Sequence, residues 1–206
     1  MAEMAMFPLG GVLLPGMVIP LHVFEPRYKE MMRRCMAGDR EFGVALIERG
    51  SEVGGGDVRT DVGVVARIVQ ADRARDGRWG VMALGTRRIR IETWLDDDPY
   101  PRADVIDWPD VPSPDPTTLE ARYNDRAVQL RRVMAMAAEL GQPGRPWSDL
   151  DGDPTVGMWE MSMAGQFGPL DLYRLLGCDG PDRRLELLGE LIDDLEMVVR
   201  ARIAEG

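Results

Sequence analysis

A chain of 206 residues has room for one large domain or two small ones, each with a core of its own. Its 45% apolar and 29% charged content is ordinary for a globular protein in water, and its 35 acids against 25 bases leave a net charge of −10. That balance argues against a general binder of nucleic acid or of anionic membranes. The two cysteines, Cys35 and Cys178, are too few for a disulfide scaffold and lie in apolar helical patterns, as buried thiols of a reducing cytoplasm do.

From Phe7 to Phe24 the chain carries no charge beyond a proton on His22. It does not read as a signal peptide, because the only charge ahead of it is the acid Glu3. It does not read as a membrane span, because Pro8, Pro15 and Pro20 with Gly10, Gly11 and Gly16 interrupt it. A cytoplasmic protein with this stretch folded into its core is the expectation. Val12-Leu13-Leu14 and Met17 to Phe24 read as strand pieces around a proline-glycine turn, bent near a barrel rim.

Pro26 then opens a helix, at the position where its missing N–H costs nothing. Tyr28, Met31, Met32, Cys35 and Met36 share one helical face, and Gly38 is expected to end it with a left-handed cap. Strands are predicted over Phe42–Glu48, Val62–Asp72, Arg78–Leu84, Thr86–Trp94 and Arg102–Trp108, with Asp76-Gly77 as a hairpin turn. Ser51 to Arg59, holding Gly54-Gly55-Gly56, reads as a mobile loop.

The proline-dense run from Trp108 to Pro116 marks a boundary. Beyond it the period is helical. Thr117-Thr-Leu-Glu120 matches a capping box ahead of the stripe Leu119, Tyr123, Leu130, Met134 and Ala137, which stops at Gly141. Asp153-Pro154 starts a second helix and Pro169 a short third that stops at Gly177. Pro181 opens the last, with the stripe Leu185, Leu188, Ile192, Leu195, Val199 and Ile203.

Phe7-Pro-Leu, Leu14-Pro-Gly-Met-Val-Ile-Pro-Leu21 and Phe24-Glu-Pro-Arg-Tyr28 resemble the amino-terminal, substrate-binding domain of the Lon protease family. Asp61-Val-Gly-Val-Val-Ala-Arg-Ile-Val69, Asp76-Gly77 and Gly85-Thr-Arg-Arg-Ile-Arg90 continue the resemblance in the same order. It covers roughly residues 5–110 and extends more loosely into the helices. The resemblance implies an α+β fold: a PUA-like β pseudo-barrel with one early helix over 1–110, a proline-rich linker over 111–116 and a C-terminal helical bundle over 117–206.

Lon proteases also carry an ATPase and a serine–lysine peptidase, and neither is legible here. No G-x-x-x-x-G-K-S/T loop is present to cradle phosphates, since Gly56 is followed by Asp57. The sole lysine, Lys29, lies off the buried face of its helix, and Ser51, Ser113, Ser148 and Ser162 lack a catalytic setting. No catalytic residue, cofactor or metal is therefore expected.

The candidate contacts each have a plainer reading. Phe24-Glu-Pro-Arg-Tyr28 joins strand to helix: Glu25 reads as the cap, Arg27 as an ion-pair partner, Phe24 and Tyr28 as core. Alternatively Phe24, Arg27 and Tyr28 edge a peptide groove. Arg67, Arg73, Arg75, Arg78, Arg87, Arg88 and Arg90 face only Asp72 and Asp76 locally and form a positive stripe. It is a solvated face, a patch for acidic peptides through Arg87 and Arg88, or a surface for RNA or phosphate. Trp79 is its one interleaved aromatic, fewer than single-strand binding uses.

His22, the one histidine, has no second ligand for zinc, and a nucleophilic pair with Cys35 is disfavoured by that thiol's place on a buried face. Asp149, Asp151, Asp153 and Glu160 have calcium-loop spacing, but Pro154 stands where glycine is required. Trp147, Met158, Trp159, Met161 and Met163 read as core between helices, or as a docking surface centred on Trp159 if exposed.

The reading that follows is a non-catalytic recognition module, with exposed or unfolded segments of other proteins as its partners and an adaptor role in protein quality control. A homodimer is compatible with it. An RNA- or phosphate-binding domain is the alternative, and a hydrolase stands last.

Overall fold

The computed structural model describes residues 2–50, 56, 58–141 and 150–205. Two compact units divide the chain, Met1–Pro109 and Asp110–Gly206. The first unit is built from β1 (Ala2–Leu9), β2 (Val18–Val23), α1 (Pro26–Ala37), β3 (Glu41–Arg49), β4 (Val58–Arg73), β5 (Trp79–Leu95) and β6 (Arg102–Asp107). The strands form one sheet in the order β2-β5-β4-β3-β1-β6, and β5 also pairs with β6, so the sheet curls back on itself.

Two strands make that closure by changing partners along their length. In β1, Ala2–Ala5 lie antiparallel to β6 while Met6–Leu9 lie parallel to β3. In β5, Trp79–Leu84 pair with β2 and Ile89–Leu95 pair with β6. Register shifts between Val64 and Ala66 and between Ile68 and Gln70 bend β4 to follow. Inside lie Met6, Ala45, Val65, Ile89, Ile91 and Val105. Gly43 makes room there for Met6, whose sulfur and methyl would have to shift to admit a Cβ.

Several local expectations need correction. Val12–Leu14 is irregular rather than a strand, whereas Ala2–Leu9, not foreseen, is one. The strands expected to break at Gly85 are a single β5. Gly85 sits mid-strand because a side chain there would strike the Leu14 carbonyl oxygen, and its own backbone bonds Gly16 and Met17 at 2.8 Å. Gly38 does end α1, but at φ −113 it is not left-handed. Arg40 takes that conformation instead, at φ 63, and its N–H donates to the Cys35 carbonyl at 3.0 Å. Val58 and Arg59 belong to β4, while the rest of the expected loop, apart from Gly56, lies outside the described residues.

The second unit holds α2 (Pro116–Glu139), α3 (Pro154–Ala164), α4 (Pro169–Leu176) and α5 (Pro181–Glu205), each opened by a proline. The expected capping box at Thr117 does not form. Pro116 is the better first helical residue, so Asp115 becomes the cap and accepts the Thr118 N–H at 3.1 Å. The core is the predicted stripe of α2, from Leu119 to Ala137, against Leu185, Leu188, Ile192 and Val199 of α5. Ile203, the last of that stripe, is exposed. Asp110 and Val111 are tied into this unit, Val111 through its N–H to the Asp179 carbonyl at 2.9 Å.

Candidate functional site

The alternation of β2 is the starting point. Leu21 and Val23 are buried and Ile19 half-buried, while Val18, Pro20 and His22 face out, as a strand with one wet face requires. Beside this strand lies a groove of about 450 Å³. Phe7 and Leu9 of β1, Val12 and Leu13 after it, and Ile19 and Leu21 of β2 line it. Tyr28, at the start of α1, contributes to the wall and is buried by stacking on Phe7 with ring centres 4.3 Å apart. Phe24 is at the mouth, 52% exposed. The lining is apolar apart from His22 and the Glu25 carboxylate.

That carboxylate is occupied. Glu25 stands at the cap position of α1 but makes no cap bond with its side chain; it accepts from Arg27 Nε at 3.1 Å instead. The Arg27 guanidinium lies 4.5 Å from the centre of the Tyr28 ring and 3.9 Å from Asp97, which is gripped in turn by Arg59 at 3.0 Å. Arg27 is thus spent on holding the strand–helix corner.

Strand β2 is also the free margin of the sheet. The Gly85 N–H donates to the Met17 carbonyl at 2.8 Å. Alternation then turns the backbone groups of Ile19, Leu21 and Val23 toward β5, and those of Val18, Pro20 and His22 toward the open edge. Pro20 has no N–H to offer there, so the edge presents a full donor–acceptor pair at Val18 and His22 and a lone acceptor between them.

The arginine stripe is largely consumed by the fold. Arg67 and Arg87 share Glu41, each at 2.7 Å, and Arg87 also reaches Asp107 at 2.9 Å. Burial pushes the Glu41 carboxyl up, but the hydrogen bonds and charges of the two arginines outweigh it and hold the carboxyl below the usual range. Arg88 is only 5% exposed, with its guanidinium 4.3 Å from the Trp108 ring centre, and Arg90 lies 4.2 Å from the same ring. Of the pair expected to meet a partner, Arg88 is inside and Arg87 is ion-paired.

Trp159 is likewise inside, at 7% exposure, with the Arg184 guanidinium 3.8 Å from its ring centre. Met158 and Met161 are buried beside it, and Trp147 lies outside the described residues. The acids with calcium-loop spacing serve local turns. Asp153 accepts the Thr155 N–H, Asp151 the Asp153 N–H and Glu160 the Asp151 N–H, at 2.8, 2.8 and 2.7 Å; Asp149 lies outside the described residues. Among the described residues no three acids, histidines or cysteines gather as a metal site, and no helix is long and apolar enough to cross a membrane.

The structure thus brings Phe24 and Tyr28 to one groove and sets Arg27, Arg87, Arg88 and Trp159 apart from its lining. Leu9, Leu13, Ile19 and Leu21 were missed as site residues. The period-2 pattern of β2 carries Ile19 and Leu21, but nothing local says that Leu9 and Leu13 line the same groove.

Residues 3–194 match the model of the family described as the ATP-dependent protease La (LON) substrate-binding domain. Over 106 residues the chain is 34% identical to Lon protease 2 of Herpetosiphon aurantiacus, covering 50% of this chain and 13% of that protein. The crystal structure of a Lon N-terminal domain protein from Xanthomonas campestris superposes with a TM-score of 0.66 at 27% identity, over 91% of this chain and 97% of that one. The N-terminal domain of a Mycobacterium avium complex Lon protease shares the fold, with a TM-score of 0.64 at 18% identity over 94% and 99% of the two chains. The chain spans only about an eighth of the curated relative it matches.

Proposed function

The chain belongs to the Lon substrate-binding domain family, and from that premise we propose that it is a non-catalytic recognition module for exposed, extended segments of other proteins, acting as an adaptor. The groove beside β2 is the observation that carries this reading: about 450 Å³, mainly apolar, and bordered by a strand whose outer edge pairs with no other strand among the described residues. An extended segment laid along it buries apolar side chains between Leu13 and Leu21 and pairs its main chain with Val18 and His22. Phe24, mostly exposed at the mouth, is the aromatic anchor such a site needs.

The RNA- or phosphate-binding alternative draws no support from Arg67, Arg87 and Arg88, whose charges are met by Glu41, Asp107 or an aromatic face. The test is titration of the full chain into a panel of labelled, unfolded apolar segments. Saturable binding with a Kd on the order of tens of micromolar is expected, weakened about tenfold by Phe24→Ala. No binding across the panel, or binding that ignores both Phe24→Ala and Ile19→Lys, overturns the reading.

A further inference from the structure

On the far side of Phe24 lies a second cavity of about 350 Å³. It shares His22, Val23 and Phe24 with the first and adds Arg78, Trp79 and Gly80 from the β4–β5 hairpin. The sheet register explains why. His22 lies opposite Gly80 and Val23 opposite Trp79, the last pair of the ladder, and Phe24 and Arg78 follow directly beyond it. Facing residues of an antiparallel pair project to the same side, as His22 and Gly80 do, and the exposed Phe24 and Arg78 line the same cavity as they do.

Two features make this a site for charge rather than more apolar surface. The space is held open by a glycine. Gly80 is among its lining residues, and a Cβ there would meet nothing within 4 Å, so packing does not demand the glycine. The hairpin is also locally basic. Arg73, Arg75 and Arg78 stand against Asp72 and Asp76 in a chain whose net charge is −10. Asp72 is engaged by Gln70 at 2.9 Å. The Arg78–Asp76 pair, at 2.7 Å, is exposed on both sides and costs little to re-partner, with Arg78 at 67% exposure. Beside it Arg73 covers Trp79, its guanidinium 5.7 Å from the ring centre.

We infer that the segment held in the groove carries an acidic side chain next to its apolar residues, and that Arg78, above Gly80 and beyond Phe24, receives it. This rests on the groove reading above and adds its specificity: an extended apolar run flanked by Asp or Glu is preferred over the same run flanked by Lys or Gln. Apolar side chains fill the larger cavity, the chain passes over Phe24, and the carboxylate enters the smaller one.

The experiment uses the full chain and three labelled peptides, amide-capped at both ends, that share an apolar core and differ only in a flanking Glu, Gln or Lys. Fluorescence anisotropy at low and physiological salt reads the affinities. The Glu peptide is expected to bind about three- to fivefold tighter than the Gln peptide, the worth of an exposed charge pair, with the Lys peptide weaker still and the spread narrowing in salt. Arg78→Gln, at an exposed position, is expected to bring the Glu:Gln ratio close to one. Gly80→Leu, whose Cβ meets nothing within 4 Å, is expected to do the same by occupying this space, with melting temperatures as a folding control. Equal binding of the Glu and Gln peptides, or a preference that survives Arg78→Gln, overturns the inference and leaves the groove standing. No binding of any peptide overturns both.

Discussion

The Arg184 guanidinium lies over the Trp159 ring, 3.8 Å from its centre, in the helical unit. Arg184 is fully buried, and Asp110 closes over it with two hydrogen bonds of 2.6 and 2.7 Å. A guanidinium taken so far from water needs both partners: the carboxylate for its charge and the indole face for its plane. Removing Asp110 leaves that charge uncompensated, so Asp110→Ala is expected to cost about 3–5 kcal/mol in urea unfolding. Replacing the pair by Asp110→Ala with Arg184→Met should recover much of that loss, because the buried charge then goes as well. A single-variant cost under about 1 kcal/mol would show the pair to be incidental.

Glu41 makes the barrel's stability depend on pH. Its carboxyl is held below the usual glutamate range in the folded chain, where Arg67 and Arg87 outweigh the effect of burial. The folded carboxyl therefore binds its proton more weakly than the unfolded one, and protonation favours unfolding. Stability from Glu41 is complete above the unfolded value and drains as pH falls from there through the folded one. At neutral pH Glu41→Gln should lose about 1 kcal/mol, the arginines being partly exposed. The gap between variant and wild type should narrow steadily as pH falls below the ordinary glutamate range. Melting curves across that range check it, and a gap that persists unchanged in acid would remove Glu41 from the account.

Much of this fold is legible in the residues, and the misses have physical causes. Tyr28, Met31, Met32 and Cys35 are spaced for one face and lie on it. Gly85 reads as a strand break because the glycine that weakens a strand is also the glycine that admits another backbone, here at Leu14. Thr117 reads as a cap because the capping-box pattern says nothing of a stronger competitor two residues earlier, Asp115 with Pro116. At the candidate groove, Phe24 and Tyr28 are visible as a strand–helix corner, but that Leu13 and Leu21 line one groove is a tertiary fact. Charge is the least legible of all. Arg87 and Arg88 look alike in sequence, yet one is ion-paired at the surface and the other is inside against Trp108.

The thiols should be inert in the native chain. Burial, helped by the charge of Asp39, pushes Cys35 up to about 11, and Cys178 is buried with its sulfur donating to the Arg174 carbonyl at 3.4 Å. A thiol reagent at neutral pH is expected to label neither until urea unfolds the chain. Rapid labelling of one thiol under native conditions would mean that α1 or the turn after α4 opens far more readily than its packing implies.

Pro20 is the residue that decides what the open margin of the sheet can do. An unpaired strand edge with donors and acceptors in sequence invites any other edge, including the same edge of a second copy. Pro20 sits in the middle of β2 facing outward, and its missing N–H interrupts the run after one pair at Val18 and before the next at His22. A visiting segment must then gain most of its affinity from side chains in the groove, which favours apolar chains over arbitrary ones and disfavours continuous β-pairing between copies. Pro20→Val restores the donor on a half-wet strand where valine is at home. The expected result is a folded protein that sediments faster than wild type at equal concentration, increasingly so as concentration rises. Its binding of unfolded segments should become less selective for apolar content, since backbone pairing depends little on side chains. If Pro20→Val sediments as wild type does and ranks the same peptides in the same order, the edge is closed by something other than this proline.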